Sequence, residues 1–288
     1  MKCFFLGRRG YREVLAVQET LYKAKIERQS LIRRGETTQP ALPDVTLMVE
    51  HAQPVYTLGR RDTSEGLPRD STVEVVPTRR GGGITWHGPG QLTVYPIVHV
   101  QHLWQGAQQP PAKDRSPIVW YSAVLERTMM SIATAHGIPS HPYKTGVWAE
   151  EREGVPHRKL GSIGLQLGSW VSMHGTGLNV CNDLSYFDHI VMCELPGESA
   201  TSLHQEMRER GIAGELPTIP EVAALFYREM AAHLRQDETS YAFDKMTDLS
   251  LEKEWEKAIL QGDEYYRVKK KSELLIHTIR YNENKTIT

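Results

Sequence analysis

The sequence RRGGGITWHGPGQ at residues 79–91 carries the strongest local signal in this chain of 288 residues. Three consecutive glycines lead to His87, and Gly88 and Gly90 then form a second glycine turn. Glycine loses more conformational entropy on folding than other residues, so two such turns favour a close approach of the backbone to a ligand. Backbone N–H groups here can meet a carbonyl or phosphate oxygen, with Arg80 adding charge nearby. A glycine-rich hairpin with a packed His87 is the alternative.

A second glycine-rich cluster joins KLGSIG at residues 159–164 to MHGTGLNV at residues 173–180. Its small residues leave room for a ligand, and we expect Ile163, Leu165 and Leu178 to form an apolar pocket for a hydrocarbon chain. A single lysine is most often a surface group. Lys159 is therefore a candidate only if another reactive group lies beside it.

The three cysteines are the candidates for that reactive group. Cys193 lies in VMCELPG at residues 191–197, just after an apolar and aromatic run, while Cys3 and Cys181 stand elsewhere. An isolated thiol has a pKa of ~8.5, and a neighbouring ammonium favours the thiolate, which is the nucleophile that attacks thioesters. From the residues alone the three cysteines compete equally.

The composition excludes several classes of protein. The net charge is -1 and the pI is about 6.9, without the basic footprint that nucleic-acid binding requires. Three cysteines without CxxC pairing predict neither a disulfide framework nor a metal site, which fits a reducing compartment. No apolar stretch reaches the ~20 residues of a membrane helix, and residues 1–12 lack the features of a secretory signal. We therefore expect a soluble intracellular protein with no membrane contact.

The hydrophobic patterns predict an α+β fold. Helices are expected over residues 12–34, from Ser116 to Gly137, and after Thr218, because each has apolar spacing and a start or stop signal. Strands are expected over residues 45–50, 54–58, 72–77, 92–100, 147–149, 162–167, 170–174 and 178–180. We expect an exposed insertion over residues 101–116. Residues 237–288 are expected to be a peripheral extension with a possible helix over 251–260.

These segments together resemble the lipoyl(octanoyl) transferases of protein lipoylation. The family pattern R-G-G-x-[IV]-T-[YW]-H-G-P-G-Q matches residues 80–91, and K-[IL]-x-S-[IL]-G matches residues 159–164. Further matches are residues 45–59, 173–180 and the cysteine segment 193–197, so the resemblance runs roughly from Tyr11 to the helix after Pro220. Two positions depart from it: Gly83 replaces a common glutamine, and the cysteine turn reads CELPG instead of CGYxG.

The resemblance implies a fold, a mechanism and a set of site residues. Residues 1–236 would form a biotin/lipoate protein ligase-like catalytic domain, a mixed β-sheet flanked by helices. Cys193 would carry an acyl thioester, and Lys159 would lower its pKa and move the proton. The acyl and carbonyl site would be lined by Arg80, Gly81, Gly82, Gly83, Ile84, Thr85, Trp86, His87, Ser162, Ile163, Gly164, His174, Gly175, Thr176 and Gly177.

The resemblance also implies the partners. The donor would be octanoyl-acyl carrier protein, and the acceptors would be lysines in lipoyl domains of 2-oxoacid dehydrogenases and in the glycine cleavage H protein. No cofactor is expected, because thioester exchange is nearly balanced and aminolysis runs downhill. The implied protein is a monomer, located in the mitochondrial matrix if eukaryotic and otherwise in the cytoplasm. We expect Arg60, Arg61, Arg69 and Arg158 to steer the acidic carriers.

Two other functions compete with this interpretation. An ATP-dependent lipoate or biotin protein ligase shares the implied fold and the lysine, but its loop resembles GGGxVxHD, whereas here His87 is followed by GPGQ. A non-catalytic relative that binds acyl carriers or lipoyl domains is the second alternative. The presence of Cys193 and Lys159 argues against it.

Overall fold

Two β-sheets and a set of flanking helices account for the parts of the chain that a computed structural model describes. These parts are residues 1–61, 72–107, 116–190 and 198–234, with the backbone of 247–248. The mixed sheet with helices on its faces confirms the predicted α+β class.

Strands and helices are numbered in chain order. The strands are β1 (Lys2–Arg9), β2 (Val45–His51), β3 (Val55–Leu58), β4 (Glu74–Pro77), β5 (Thr85–His87), β6 (Gln91–Ile97), β7 (Ser140–Pro142), β8 (Val147–Ala149), β9 (Arg158–Gly168), β10 (Val171–Asn179) and β11 (Thr247–Asp248). The helices are α1 (Tyr11–Arg33), α2 (Val100–Gly106), α3 (Pro117–Ala135), α4 (Leu203–Glu209) and α5 (Ile219–His233), with a 3₁₀ helix at Ser185–His189.

The larger sheet has the strand order β11-β1-β2-β6-β10-β9-β8-β7 among the described residues. Strand β1 runs parallel to β2 and β11, and the other neighbours are antiparallel. The smaller sheet has the order β4-β3-β5. Its strand β5 belongs to the glycine-rich segment 79–91 and ends at His87. The glycine-rich segment therefore leaves the small sheet and enters the large one at β6.

The large sheet buries both of its faces, because successive side chains of a strand point to opposite sides. On one face, Val14 and Val17 of α1 pack in a cluster with Leu47 and Tyr95. On the other face, α3 and α5 pack on Leu92, Val94 and Leu178 in the main core. Strands of this kind consist of nearly continuous apolar residues, as β2 and β6 do.

Most predicted elements are confirmed, with shifts of a few residues at their ends. Helix α1 begins one residue earlier than predicted, and β8 has the predicted bounds. The two strands predicted over 170–174 and 178–180 form one strand, β10. The glycines between them interrupt the apolar pattern but continue the ladder with β9. Ser116 stands at the N-cap of α3 without a capping hydrogen bond, so proline at the first turn is the clearer start signal.

Several elements were missed. Strand β1 was not predicted, although Phe4, Phe5 and Leu6 are buried, because a short apolar run near a chain end carries no period to distinguish it from a leader. The prediction of an exposed segment over 101–116 is wrong for its first part, because residues 101–106 belong to α2 and Leu103 is buried in the main core.

The remaining part of that segment, residues 108–115, lies outside the described residues, as do the predicted helix at 251–260 and most of the predicted extension. At the edge of the sheet, Thr247 and Asp248 pair with Phe4 and Phe5 of β1. The division of the chain at residue 236 stays a prediction.

In the described part of the chain, none of the helices combines the length and apolarity needed to cross a bilayer.

A buried ion pair attaches α1 to the loop that precedes β2. Lys25 Nζ lies 2.7 Å from Asp44 Oδ1, and both side chains are less than a tenth exposed. The same ammonium donates to the carbonyls of Leu42 and Pro43, while Asp44 also accepts from the backbone N–H of His99. Each charge is compensated by the other and by further hydrogen bonds, as burial of ions requires.

We expect Lys25→Met to lower the free energy of unfolding by about 3–5 kcal/mol, because it leaves the Asp44 carboxylate buried without its cation. Urea denaturation followed by circular dichroism measures the change. The matched control is Lys23→Met, which removes an exposed i,i+4 pair with Glu19 and should cost less than about 0.5 kcal/mol. Equal losses in the two variants would contradict the argument.

Candidate active site

The glycine loop is held by the buried guanidinium of Arg80. Its Nη2 donates to the carbonyl and the hydroxyl of Thr57 at 2.6 and 2.9 Å, and its Nη1 donates to the carbonyls of Gly83 and Gly81 at 2.7 and 3.0 Å. The Nε donates to the Thr57 hydroxyl at 3.3 Å. Arg80 is only 6% exposed. A planar group with five donors can satisfy the loop and β3 together.

Arg80 therefore organises the loop more than it offers charge to a ligand. Next to it, an added Cβ on Gly164 of β9 would lie 2.9 Å from Arg80 Cδ and 3.2 Å from the Gly81 carbonyl oxygen. The N–H of Gly81 donates to the carbonyl of Leu165 at 2.8 Å. The loop thus rests directly on β9, and only glycine fits at the point of contact.

Most of the predicted site residues line one cleft between the glycine loop and strands β9 and β10. The cleft is lined by Tyr11, Arg80, Gly82, Gly83, Ile84, Thr85, His87, Tyr95, Lys159, Ser162, Ile163, Gly164, His174, Gly175, Thr176 and Gly177. The prediction from separate segments of sequence thus identified residues that the fold brings together. The tertiary reason is that β9 and β10 pair in register, with Ser162 opposite Gly177 and Gly164 opposite Gly175.

Two predicted site residues are placed differently, and a third lies outside the described residues. Trp86 is buried behind the loop, stacked on Tyr186 with 5.0 Å between the ring centroids and packed edge-on against Phe187. The backbone of Gly81 supports the loop against β9 instead of lining the cleft. Cys193 lies in residues 191–197, outside the described residues.

Lys159 of β9 lines the cleft and is only 2% exposed. Its ammonium lies 5.4 Å from the centre of the Trp148 ring and donates to the Thr145 carbonyl at 3.4 Å. On its other side, the backbone N–H of Lys159 donates to the Ser199 carbonyl at 2.8 Å, and its carbonyl accepts from the N–H of Thr201 at 2.9 Å. A buried amine at a cleft is the opposite of the usual solvated lysine.

The cleft is lined by the rings of Tyr11, His87, Tyr95 and His174, and His51 is hydrogen-bonded to Tyr95. Burial lowers the pKa of His51 to about 3, of His87 to about 4 and of His174 to about 3, and the Arg80 charge adds to the effect at His87 and His174. The three imidazoles are neutral at pH 7. Burial also raises the pKa of Tyr11 to about 12 and that of Tyr95 well above its usual value, so both phenols keep their protons.

Tyr11 and Tyr95 were not predicted as site residues. Tyr11 begins α1 and stacks on His87 with 6.2 Å between the ring centroids, and Tyr95 hydrogen-bonds His51 at 2.7 Å between Oη and Nε2. In sequence they stand outside both glycine clusters, inside an ordinary helix start and an apolar strand. For Tyr95, the available sequence signal was a hydroxyl-bearing ring inside a largely apolar strand, β6.

A chain of hydrogen bonds determines which ring nitrogen of His87 holds the proton. It ends at Thr201, which pairs with Lys159 of β9. Asn179 donates to the Thr201 carbonyl at 2.9 Å, Gln91 Nε2 donates to Asn179 Oδ1 at 2.9 Å, and His87 Nδ1 lies 2.7 Å from Gln91 Oε1. Because Gln91 uses its amide nitrogen as donor, its oxygen must accept, and the proton of the neutral His87 ring resides on Nδ1. Its Nε2 is then an acceptor.

The expected apolar pocket is only partly confirmed. Ile163 lines the cleft, but Leu178 is fully buried in the main core between the sheet and the helices. Leu165 packs its side chain on the same core and contributes its backbone carbonyl to the glycine loop. The prediction is wrong for Leu178, which the main core encloses completely, and for Leu165, which is not among the residues that line the cleft.

The other two cysteines do not lie in the cleft. Cys3 is buried in the main core, on β1. Cys181 is solvent-exposed, and partial burial of its thiol together with the Glu50 charge raises the pKa of the thiol. A raised pKa disfavours the thiolate of Cys181, and Cys3 is enclosed by the core, so neither residue has the surroundings of an activated nucleophile.

The arginines expected to steer carriers also differ among themselves. Arg60 and Arg61 are exposed at the end of the small sheet. The expectation is wrong for Arg158, which is largely buried and ion-paired with Glu206 and Glu209. Arg69 lies outside the described residues. Within the described ranges, His, Cys, Asp and Glu side chains form no group of three that is arranged for a metal ion.

Comparison with known proteins supports the family resemblance. The model of the lipoyl protein ligase A/B catalytic domain matches residues 10–231. An octanoyltransferase of Cutibacterium acnes is 38% identical over 192 residues, which are 66% of this chain and 65% of that protein. The mitochondrial octanoyl-[acyl-carrier-protein]:protein N-octanoyltransferase of Danio rerio is 32% identical over 232 residues, or 78% of this chain and 90% of that protein.

A solved structure from an archaeal lipoylation system has a similar fold. It is described as a bipartite lipoate protein ligase and its E2 lipoyl domain from Thermoplasma acidophilum. The match covers 90% of each chain with a TM-score of 0.56 and 13% sequence identity. At that identity the likeness concerns the fold alone, and it confirms the predicted ligase-like architecture.

We expect Arg80→Lys to lower the free energy of unfolding by about 1–3 kcal/mol and to open the glycine loop, because an ammonium cannot serve the Thr57 and loop acceptors together. Denaturation and amide hydrogen exchange at Gly81 measure the two effects. The neighbouring Arg79 is exposed, so Arg79→Lys should change neither quantity. Unchanged exchange at Gly81 in Arg80→Lys would show that the loop does not depend on this guanidinium.

Proposed function

This chain belongs to the family of lipoyl protein ligase A/B catalytic domains, and we propose that it is an octanoyltransferase that carries its acyl group on Cys193. The substrates are an octanoyl-acyl carrier protein as donor and a lysine of a lipoyl domain as acceptor. The names of relatives from Cutibacterium acnes and Danio rerio support octanoyl transfer.

The observation that carries the thioester proposal is the backbone pairing of Lys159 with residues 199–201, directly after the Cys193 segment. On the other side of the segment, Ile190 packs in the same cluster as Trp86 and Ala200. Both flanks of residues 191–197 thus lie beside the glycine loop. Cys193 is three residues from Ile190, a reach of at most about 11 Å. This supports a thiol close to the Lys159 amine.

The reaction proposed for this site has two acyl transfers. The Lys159 ammonium stabilises the Cys193 thiolate, the sulfur attacks the donor thioester carbonyl, and Lys159 donates a proton to the carrier thiolate as it leaves. The neutral acceptor lysine amine then attacks the new thioester, its nitrogen passes a proton to the now neutral Lys159 amine, and the Cys193 thiolate is released. The product is an octanoyl amide, formed without ATP.

The rest of the cleft suits this chemistry. The donor carbonyl becomes an oxyanion during each transfer, and the backbone N–H groups of Gly82 and Gly83 are the proposed hydrogen-bond donors to it. The neutral rings of Tyr11, His87 and Tyr95 offer an uncharged wall to the acyl chain. Exclusion of further charge keeps the hydrocarbon in favourable surroundings.

The proposal extends to the cellular compartment of the protein and to the surface that meets the acyl carrier. The Danio rerio relative is named as mitochondrial and the Cutibacterium acnes relative is bacterial, so we propose the mitochondrial matrix for a eukaryotic source and the cytoplasm for a bacterial one. Exposed Arg60 and Arg61 remain candidates for steering an acidic carrier, with Arg158 removed from that set.

Incubation with octanoyl-acyl carrier protein in the absence of ATP should add one octanoyl group to the chain, detected by intact mass. Cys193→Ala should abolish the adduct, because it removes the proposed nucleophile. Cys181→Ala is the matched control and should keep it, since Cys181 lies outside the cleft. If no adduct forms without ATP, the ligase alternative gains support; an adduct that survives in Cys193→Ala would remove the cysteine from the mechanism.

Lys159→Ala should slow acylation most at neutral pH and less in alkali, because more of a thiol with an ordinary pKa of ~8.5 ionises unaided there. Single-turnover acylation measured from about pH 6 to about pH 10, on both sides of that pKa, reports this profile. Lys23→Ala, an exposed lysine on α1, is the control. A profile of Lys159→Ala parallel to that of the wild type would exclude a proton-transfer role.

A further inference from the structure

The turn between β7 and β8 has an unusual backbone. Lys144, Thr145 and Gly146 have φ angles of 40°, 66° and 121°, so three consecutive residues are left-handed. For a β-branched residue such as Thr145 this conformation is a true outlier, and it persists only where surrounding contacts determine it. Strain of this kind concentrates at functional sites, so its cause is informative.

The strained turn lies directly against Lys159. The Thr145 carbonyl accepts from the Lys159 ammonium. A Cβ added to Gly146 would lie 3.1 Å from Lys159 Cε and 2.5 Å from the Gly161 carbonyl oxygen. The direction of the Thr145 carbonyl depends on the left-handed turn, because a right-handed backbone would rotate that carbonyl away. The shape of the turn therefore determines where the amine is held.

One side chain from outside the hairpin holds the turn. Glu126 of α3 accepts a hydrogen bond from the Gly146 N–H, with 2.9 Å from the nitrogen to Oε1. Its neighbours Leu125 and Met129 are fully buried, so the helix presents the carboxylate from a rigid position. Burial raises the pKa of Glu126, while the hydrogen bond from Gly146 and the positive charges of Arg127 and Lys159 lower it.

We propose that Glu126 is a positioning residue for Lys159: by accepting from Gly146 it holds the 144–146 turn in its left-handed form and thereby directs the Thr145 carbonyl to the catalytic amine. The inference rests on the proposed function, since it assigns a task to a residue outside the cleft lining. Glu126 does not take part in the acyl transfers itself.

The test compares Glu126→Ala with Glu126→Gln. The alanine variant loses the acceptor, so the amine is misplaced and the single-turnover acylation rate should fall by roughly 10- to 100-fold, with little change in the half-saturating carrier concentration. The glutamine variant keeps an acceptor oxygen for Gly146 and should restore the rate to within about threefold of the wild type. Glu19→Ala, on an exposed face of α1, is the matched control.

Thermal unfolding separates positioning from general support of the fold. Rates are compared per folded molecule, so a stability loss alone cannot imitate the expected result. Thr145→Gly is the second variant: glycine relieves the strain, so the melting temperature should stay equal or rise while the acylation rate falls. An alanine variant of Glu126 with the wild-type rate, or a glutamine variant as slow as the alanine variant, would overturn the proposal.

A second readout does not depend on Cys193. Labelling with an amine-reactive succinimidyl ester, followed by peptide mass spectrometry, measures the accessibility of Lys159 directly. Labelling should be faster in Glu126→Ala than in the wild type and unchanged in Glu126→Gln. Unchanged labelling in Glu126→Ala contradicts the positioning role. A wild-type chain that forms no octanoyl adduct contradicts the proposed function instead, so the two failures are distinguishable.

Discussion

The architecture of the cleft depends on the multiple hydrogen bonds of one buried cation, Arg80. A guanidinium removed from water loses a large hydration energy, so it is tolerated only where its donors find acceptors. Here carbonyl and hydroxyl oxygens from β3 and from the glycine loop receive them. The guanidinium thereby connects the small sheet to the loop, and the Gly81 N–H connects the loop to β9 through the Leu165 carbonyl. Glycine is needed at residues 59 and 164, where an added Cβ would lie 2.9 Å from the Arg80 side chain, and at residue 82, where φ is +85°.

That arrangement also sets the electrostatics of the cleft. The buried positive charge of Arg80 helps to keep His87 and His174 neutral, and the amide chain through Gln91 and Asn179 determines which nitrogen of His87 holds its proton. The site is therefore mostly uncharged, with the Lys159 amine as the reactive cation proposed for proton transfer. Such a site can accept a hydrocarbon chain next to a polar carbonyl, which is what acyl transfer requires.

The common architecture of transferases and ligases explains why fold and function need separate evidence. A solved archaeal lipoate ligase structure has a similar fold at 13% identity, while the relatives from Cutibacterium acnes and Danio rerio, at 38% and 32% identity, are named octanoyltransferases. A fold of this type provides the β9–β10 floor and the glycine loop for an acyl chain. The chemistry depends on the residues at the edge of the cleft. The candidates here are Cys193, whose segment precedes the residues that pair with Lys159, and the turn that Glu126 holds.

The sequence by itself determined the fold class, most of the helices and strands, and the two glycine clusters that line the cleft. It did so because apolar periods, caps and glycine runs are local properties of the chain. Tertiary structure alone decided the rest. Tyr11 and Tyr95 enter the cleft from α1 and β6, Leu178 turns away into the core, and Arg158 is used in ion pairs. The hydrogen bonds of Arg80 to Thr57, and the contact of Glu126 with the 144–146 turn, join residues that are far apart in sequence. No local pattern encodes such contacts, because they exist only when the sheet register and the helix packing bring separate elements together.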